Sequence, residues 1–310
     1  MDRRSVRLLK YSAAISLTCA AVAHAADRPL VKAMAWLDPA QHLTALTTEP
    51  RRDAAVQDRQ MLAGEALFHT PTLLGGQAAK AGLSCASCHE NGRDNPAFLF
   101  PNVSGEPGTA DVTSSFFSSY RGNAKFDPVK IPDLTAPGKI SRADESEELE
   151  KFIRDLIVEE FDGQEPTPSI LAALAHYVRS LSADASNDRV AVTVESQLAA
   201  VDQAVFSAKV ARQSNDLKLS HLLLASARNR LGLIHERYAG KKLTRQRNAI
   251  MSASRKLGAL QDVRESGGFV EALAQWENDF AKTRKLVSEK QHLSLYNPKV
   301  LQTALAQQPN

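Results

Sequence analysis

Leu83-Ser84-Cys85-Ala86-Ser87-Cys88-His89 places two thiols and an imidazole in the C-x-x-C-H arrangement of a c-type haem attachment site. The spacing has a mechanical reason. Two residues between the thiols make one turn of chain, which sets both sulfurs to add to the two haem vinyl groups while the adjacent imidazole reaches the iron. Two other chemistries use the same side chains. A redox dithiol of the thioredoxin type needs a βαβ context, which the flanking sequence lacks, and a zinc site needs two more ligands nearby. The expectation is one covalently attached haem c on Cys85 and Cys88, with His89 as the metal ligand.

Around this motif the chain has 310 residues, 43% hydrophobic and 24% charged, enough to bury a core and make two domains. That composition excludes disorder and collagen-like structure. Only 6% of residues are aromatic, runs of valine and isoleucine are scarce, and Ala, Leu, Gln, Lys and Arg abound, so an all-α fold is expected. Arg3, Arg4, Arg7 and Lys10, the apolar stretch 13–22 and Ala23-His24-Ala25 read as a signal peptide over 1–25, cleaved near Ala25. The expectation is export to the periplasm. Cys19 falls inside this signal, and Thr18 before it and Ser16 three before it do not suit a lipid anchor. No apolar stretch approaches the roughly 20 residues of a transmembrane segment.

Residues 26–58 read as a mostly extended leader with one short helix. The run Met61-Leu62-Ala63-Gly64-Glu65-Ala66-Leu67-Phe68 reads as a helix in which Gly64 permits close approach. Gly75, Gly76 and Gly82 then break the chain, and 91–140 is loop-rich, as in segments that wrap a ligand. Leu149, Phe152, Ile153, Leu156 and Ile157 follow a helical stripe, as do Ile170, Leu174, Tyr177, Val178 and Leu181. Beyond a polar run at 182–189, four further stripes separated at Asn215, Gly240 and Gly267-Gly268 predict an antiparallel helical bundle over 190–305.

Several segments together resemble the cytochrome c domain of the bacterial di-haem cytochrome c peroxidase and MauG family. They are Gly64-Glu65-Ala66-Leu67-Phe68, the motif itself, Lys130-Ile131-Pro132-Asp133-Leu134 with Thr135-Ala136-Pro137, and the stretch from Leu171 to Leu181. The resemblance spans 59–183. It implies a helical cytochrome c domain in which the helix of Gly64 and Phe68 crosses the last helix near Tyr177, with Cys85 and Cys88 as thioether residues and His89 as proximal ligand. The family carries two such motifs and this chain carries one, so the two-haem mechanism does not run within it alone. No methionine lies between His89 and Met251, although methionine is the sixth ligand in many cytochromes c. The family's methionine position falls near Leu156.

His176, Tyr120, Lys139, His69 and Met61 are the other candidates for the sixth position, each with a plain core, loop or surface role favoured. His221 and His235 are 14 residues apart, roughly 21 Å along one helix, too far to share an iron, and Met251 reads as bundle core. Peroxidase chemistry also needs an acid or base beside the iron, for which Glu90, Asp94, Asp111, Asp127 and Asp133 are at hand. Phe98, Phe100, Phe116, Phe117 and Phe126 are expected at the haem edge.

Charge divides along the chain. Residues 26–189 carry 16 basic and 24 acidic side chains, and residues 190–310 carry 18 and 10. Opposed fields orient a charged partner, or the two parts simply attract each other. The basic residues are spread over helix faces without interleaved aromatics, which argues against nucleic acid. The first expectation is an exported mono-haem cytochrome that carries one electron between redox protein partners. The alternatives are a peroxidase-like oxidoreductase or small-ligand binder with an open iron position, and a haem domain delivered to a protein complex by residues 190–305.

Overall fold

The computed structural model describes residues 36–52, 58–136, 138, 140–143, 146–182, 188–263 and 266–308. The expected signal peptide with Cys19, Lys139 and most of the polar run 182–189 lie outside them. The described chain is mostly helical, with two short two-stranded antiparallel ladders. No helix among the described residues is long and apolar enough to cross a membrane.

The first part is organised by the crossing of α2 (Arg59–Phe68) and α7 (Pro168–Ser180). Asp58 starts α2: its Oδ1 accepts from the Met61 amide at 2.8 Å, filling a backbone donor that no helix turn can satisfy. Its Oδ2 pairs with His176 Nε2 on α7 at 2.7 Å. Gly64 sits at the crossing, where a Cβ would stand 2.0 Å from the Ala173 carbonyl oxygen and 2.7 Å from Tyr177 Cβ. Between these two helices run α3 (Pro71–Leu74), α4 (Gly76–Lys80), α5 (Cys85–Cys88), a β2/β3 ladder (Thr109–Ala110 with Val129–Lys130), and α6 (Glu148–Asp155). A π-helical turn, Leu156–Glu160, continues α6.

The second part is a bundle. Helices α8 (Val194–Gln213), α9 (Leu217–Arg237), α10 (Thr244–Gln261) and α11 (Ser266–Ser288) pack in sequence, and α11 returns to α8. Thr193 and Asp216 cap the first two, accepting from the Ser196 and Leu219 amides, and the short breaks at Asn215 and Gly240 take positive φ, which makes successive helices antiparallel. Leu198, Val201, Leu223, Leu224, Leu231, Ile234 and Leu257 fill the interior. Three expectations are corrected. Gly267 and Gly268 lie inside the first turn of α11 rather than in the break before it. Met251 is on the surface, 37% exposed, because its position on α10 falls outside the inward stripe of Ile250, Ala253 and Leu257. A further helix, α12 (Pro298–Leu305), packs through Leu301 and Ala304 on Leu46 of α1 (His42–Thr47).

Apolar contact is continuous from Met61 to Val287, so α2 belongs to both interiors. Gln203 Nε2 donates to the Leu62 carbonyl at 3.1 Å and to Glu65 Oε2 at 2.7 Å, and Ser226 Oγ donates to the Ala66 carbonyl at 2.7 Å. The leader straps the seam from outside. Its strand β1 (Thr48–Pro50) pairs with β4 (Arg189–Ala191), and Trp36 stacks on Phe100 at 4.1 Å while its Nε1 donates to the Ala81 carbonyl.

Candidate functional site

The turn that carries the thiols is fixed by its own serines. Ser84 N donates to Ser87 Oγ at 3.0 Å, and Asn95 Nδ2 donates to the Ser87 carbonyl at 2.8 Å. Cys85 and Cys88 are free thiols, and burial pushes both up to about 12. A redox dithiol is activated by a lowered thiol pKa, so this environment argues against that chemistry. Nor does the site suit zinc. Among the described residues, no group of three or more His, Cys, Asp or Glu converges to hold a metal ion.

His89 Nδ1 lies 3.0 Å from the Pro132 carbonyl oxygen. A carbonyl only accepts, so Nδ1 carries the proton and Nε2 keeps its lone pair. Burial, opposed by that hydrogen bond and by Asp133 and Asp94, pushes the imidazole down to about 4. At neutral pH it is a neutral donor oriented from behind, the arrangement that makes histidine a good metal ligand.

Cys85, Cys88 and His89 line one apolar cavity together with Phe68, Leu174 and Val178 from the α2–α7 pair, Ala110, Val112, Ile131 and Leu134 from the loops, and Leu149, Phe152, Ile153, Leu156, Ile157 and Phe161 from α6 and the π turn. Its walls enclose about 1150 Å³ of atom-free space, the open mouth included. The π turn aims Leu156 and Ile157 inward, and the chain leaving it is pinned where Gly163 N donates to the Ile157 carbonyl at 2.7 Å. Among the described lining residues Lys130 is the one with a permanent charge, and it is exposed at the mouth with Val129. Two half-buried thiols one turn apart, an imidazole with a free Nε2 and an apolar cavity fit a covalently attached haem.

The remaining candidates separate from the cavity. His176 is engaged with Asp58. Tyr120 is 76% exposed, and Phe116 and Phe126 are 45% and 60% exposed, and none of the three lines the cavity. Phe98, Phe100 and Phe117 join an aromatic cluster under Trp36, outside the cavity lining. Met61 is buried on α2 and His69 is the half-buried residue that ends it, both away from the lining, with His69 Nε2 shielded and without a hydrogen-bond partner among the described residues. His221, His235 and Met251 belong to the bundle. Among the acids, Glu90 pairs with Arg189 and Asp133 with Arg93, Asp127 is exposed, and Asp111 is buried at 2% exposure. Of the aromatic wall residues, Phe152 carried only a helical stripe, which core and cavity wall share, Phe68 was named for the helix crossing and not for the cavity, and Phe161 had no sequence signal.

No family model, no curated protein and no solved structure matches the chain.

Proposed function

We propose that this chain is an exported mono-haem c-type cytochrome that carries one electron between redox partners. The observation that carries the proposal is the convergence of Cys85, Cys88 and His89 on one large apolar cavity. Haem c, when bound, supplies a one-electron iron couple. Cys85 and Cys88 would hold it covalently, so that it stays with a protein outside the cell. His89 would ligate through Nε2, and its Nδ1–H on the Pro132 carbonyl fixes the ring and raises its basicity. The leucine, isoleucine and phenylalanine walls exclude water and keep the local dielectric low. Val129, Lys130 and Phe152, exposed at the mouth, leave one side of the cavity open to a partner. The resemblance of 59–183 to the family's cytochrome c domain and the export signal support the same reading.

One observation favours a second reading, a peroxidase-like enzyme or small-ligand binder. Among the described lining residues His89 is the only imidazole and none is methionine, and Leu156 occupies the place that the resemblance gives to the family's methionine. Carbon monoxide separates the two. An immediate Soret shift in the ferrous protein shows an open sixth position and directs attention to peroxide kinetics. A reversible couple with no shift shows a strong residue ligand and electron transfer.

A further inference from the structure

The bundle has an open groove of its own. Between α8 and α11, Val205, Phe206, Phe280 and Ala281 border about 710 Å³ of atom-free space, the open side included. Its floor is fixed, because Trp276 stacks on Phe280 at 4.5 Å and Trp276 Nε1 donates to the Ala253 carbonyl of α10 at 2.9 Å. Phe206 stands at the rim, 44% exposed. One exposed aromatic does not say what covers it. The charges beside it do.

Four charged side chains line the same groove, Asp202 and Lys209 from α8 and Glu277 and Arg284 from α11. Arg284 Nη2 donates to Asp202 Oδ1 at 2.6 Å, which sets the register of the two helices. They run in opposite directions, so one turn on from Asp202 and one turn back from Arg284 bring Phe206 level with Phe280. The next turn brings Lys209 level with Glu277. Lys209 and Glu277 form no ion pair among the described residues. The groove therefore has a closed pair of charges at one end, an open pair at the other and an aromatic centre.

That layout is complementary to itself. A half-turn about an axis parallel to the helices sets α8 of a second copy against α11 of the first, in the same register. Lys209 of each copy then meets Glu277 of the other, Asp202 meets Arg284, and Phe206 meets Phe280 and Ala281. A partner of one dominant charge gains nothing from a rim that carries both signs in balance, whereas an identical copy matches it at every level.

We propose that the α8–α11 face is the interface of a two-fold homodimer, in which Phe206 of each copy enters the groove of the other and Lys209 of each pairs with Glu277 of the other. The two helices have 20 and 23 residues. Side by side they present a face of roughly 600 Å², so about 1200 Å² is buried in total, at the lower end for a specific interface. A reversible dimer of micromolar affinity follows. The groove shares no lining residue with the cavity, so the dimer stands independently of the haem reading.

The test is sedimentation velocity of the full chain from about 1 to 300 μM, for the native protein, Phe206→Glu, Lys209→Glu, and Lys209→Glu combined with Glu277→Lys. The native protein should pass from monomer to dimer across that range. Phe206→Glu and Lys209→Glu should each raise the dimer Kd by about tenfold or more, with thermal unfolding at the lowest concentration unchanged because both side chains face the open groove. The charge-swapped double variant should return to within about threefold of the native Kd, since it rebuilds both intermolecular pairs with their signs exchanged. A native chain that stays monomeric throughout overturns the proposal and leaves the groove to a different protein. A dimer that Phe206→Glu does not weaken places the interface elsewhere and also overturns it. A double variant as weak as Lys209→Glu alone overturns the pairing of Lys209 with Glu277.

Discussion

The two parts of this molecule use amphipathic helices to opposite ends. From 194 to 288, four long helices turn their apolar stripes on one another, and Leu223, Leu231 and Leu273 are wholly buried against their neighbours. From 59 to 180 the helices are mostly short, separated by loops, and the stripe of α6 faces a cavity instead of a partner. The same periodicity therefore encodes a filled core in one part and a wall in the other. What distinguishes them is helix length and the loops that hold the walls apart.

The largest expected effect breaks that contrast at the cavity. Replacing both Cys85 and Cys88 by alanine removes all covalently held haem, read as absorbance retained by the denatured chain, whereas Leu231→Ala leaves the haem content of the folded protein unchanged. Leu231→Ala instead costs about 2 to 5 kcal/mol of stability in denaturant unfolding, the range for emptying a packed leucine site. In a chain without haem, Leu156→Ala should cost less than half as much as Leu231→Ala, because its side chain already borders open space. Equal losses would mean that the cavity closes without its ligand.

A smaller effect concerns the crossing that both parts share. Gly64→Ala drives a methyl into the Ala173 carbonyl and should cost about 1 to 3 kcal/mol, typical of overpacking, in equilibrium unfolding. The pH dependence is next. Burial, then Arg230 and Arg52, hold His69 well below its ordinary value of 6.5, so the unfolded chain takes up that proton first. Stability should be full above pH 6.5 and decline as the pH falls toward the folded value, with a slope of at most ~1.4 kcal/mol per pH unit for one proton. His69→Gln should flatten that limb in a pH series of unfolding curves. Smallest of all, Lys282→Ala on the exposed Asp279 pair should change stability by less than about 0.5 kcal/mol.

The long helices and the helix of Gly64 were legible in the sequence because their signals are local: a 3.6-residue stripe and a glycine where two backbones touch. Cys85, Cys88 and His89 were legible as candidates because the proposed attachment chemistry would require this spacing within one turn of chain. The walls were not. Phe152 and Leu156 read as ordinary core, since periodicity reports which face is apolar and not what that face meets. Phe116 and Phe126 were expected at the site from their aromatic character alone, yet their loop turns them to solvent. The boundary near 182–189 marks a change from loops to bundle, but α2 packs on both sides of it. Deleting 190–310 would therefore strip one face of α2, and loss of a partner in that truncation would report damage to the cavity side as readily as loss of a docking module.

The most direct test is to express the chain with its first 25 residues in a host that attaches haem to exported proteins, and to measure haem in the purified protein after full denaturation. One haem per chain that survives denaturation, and disappears when Cys85 and Cys88 are both alanine, is the predicted result. A protein that matures without haem, or whose haem washes out on unfolding, would contradict a c-type cytochrome and leave the cavity to another ligand.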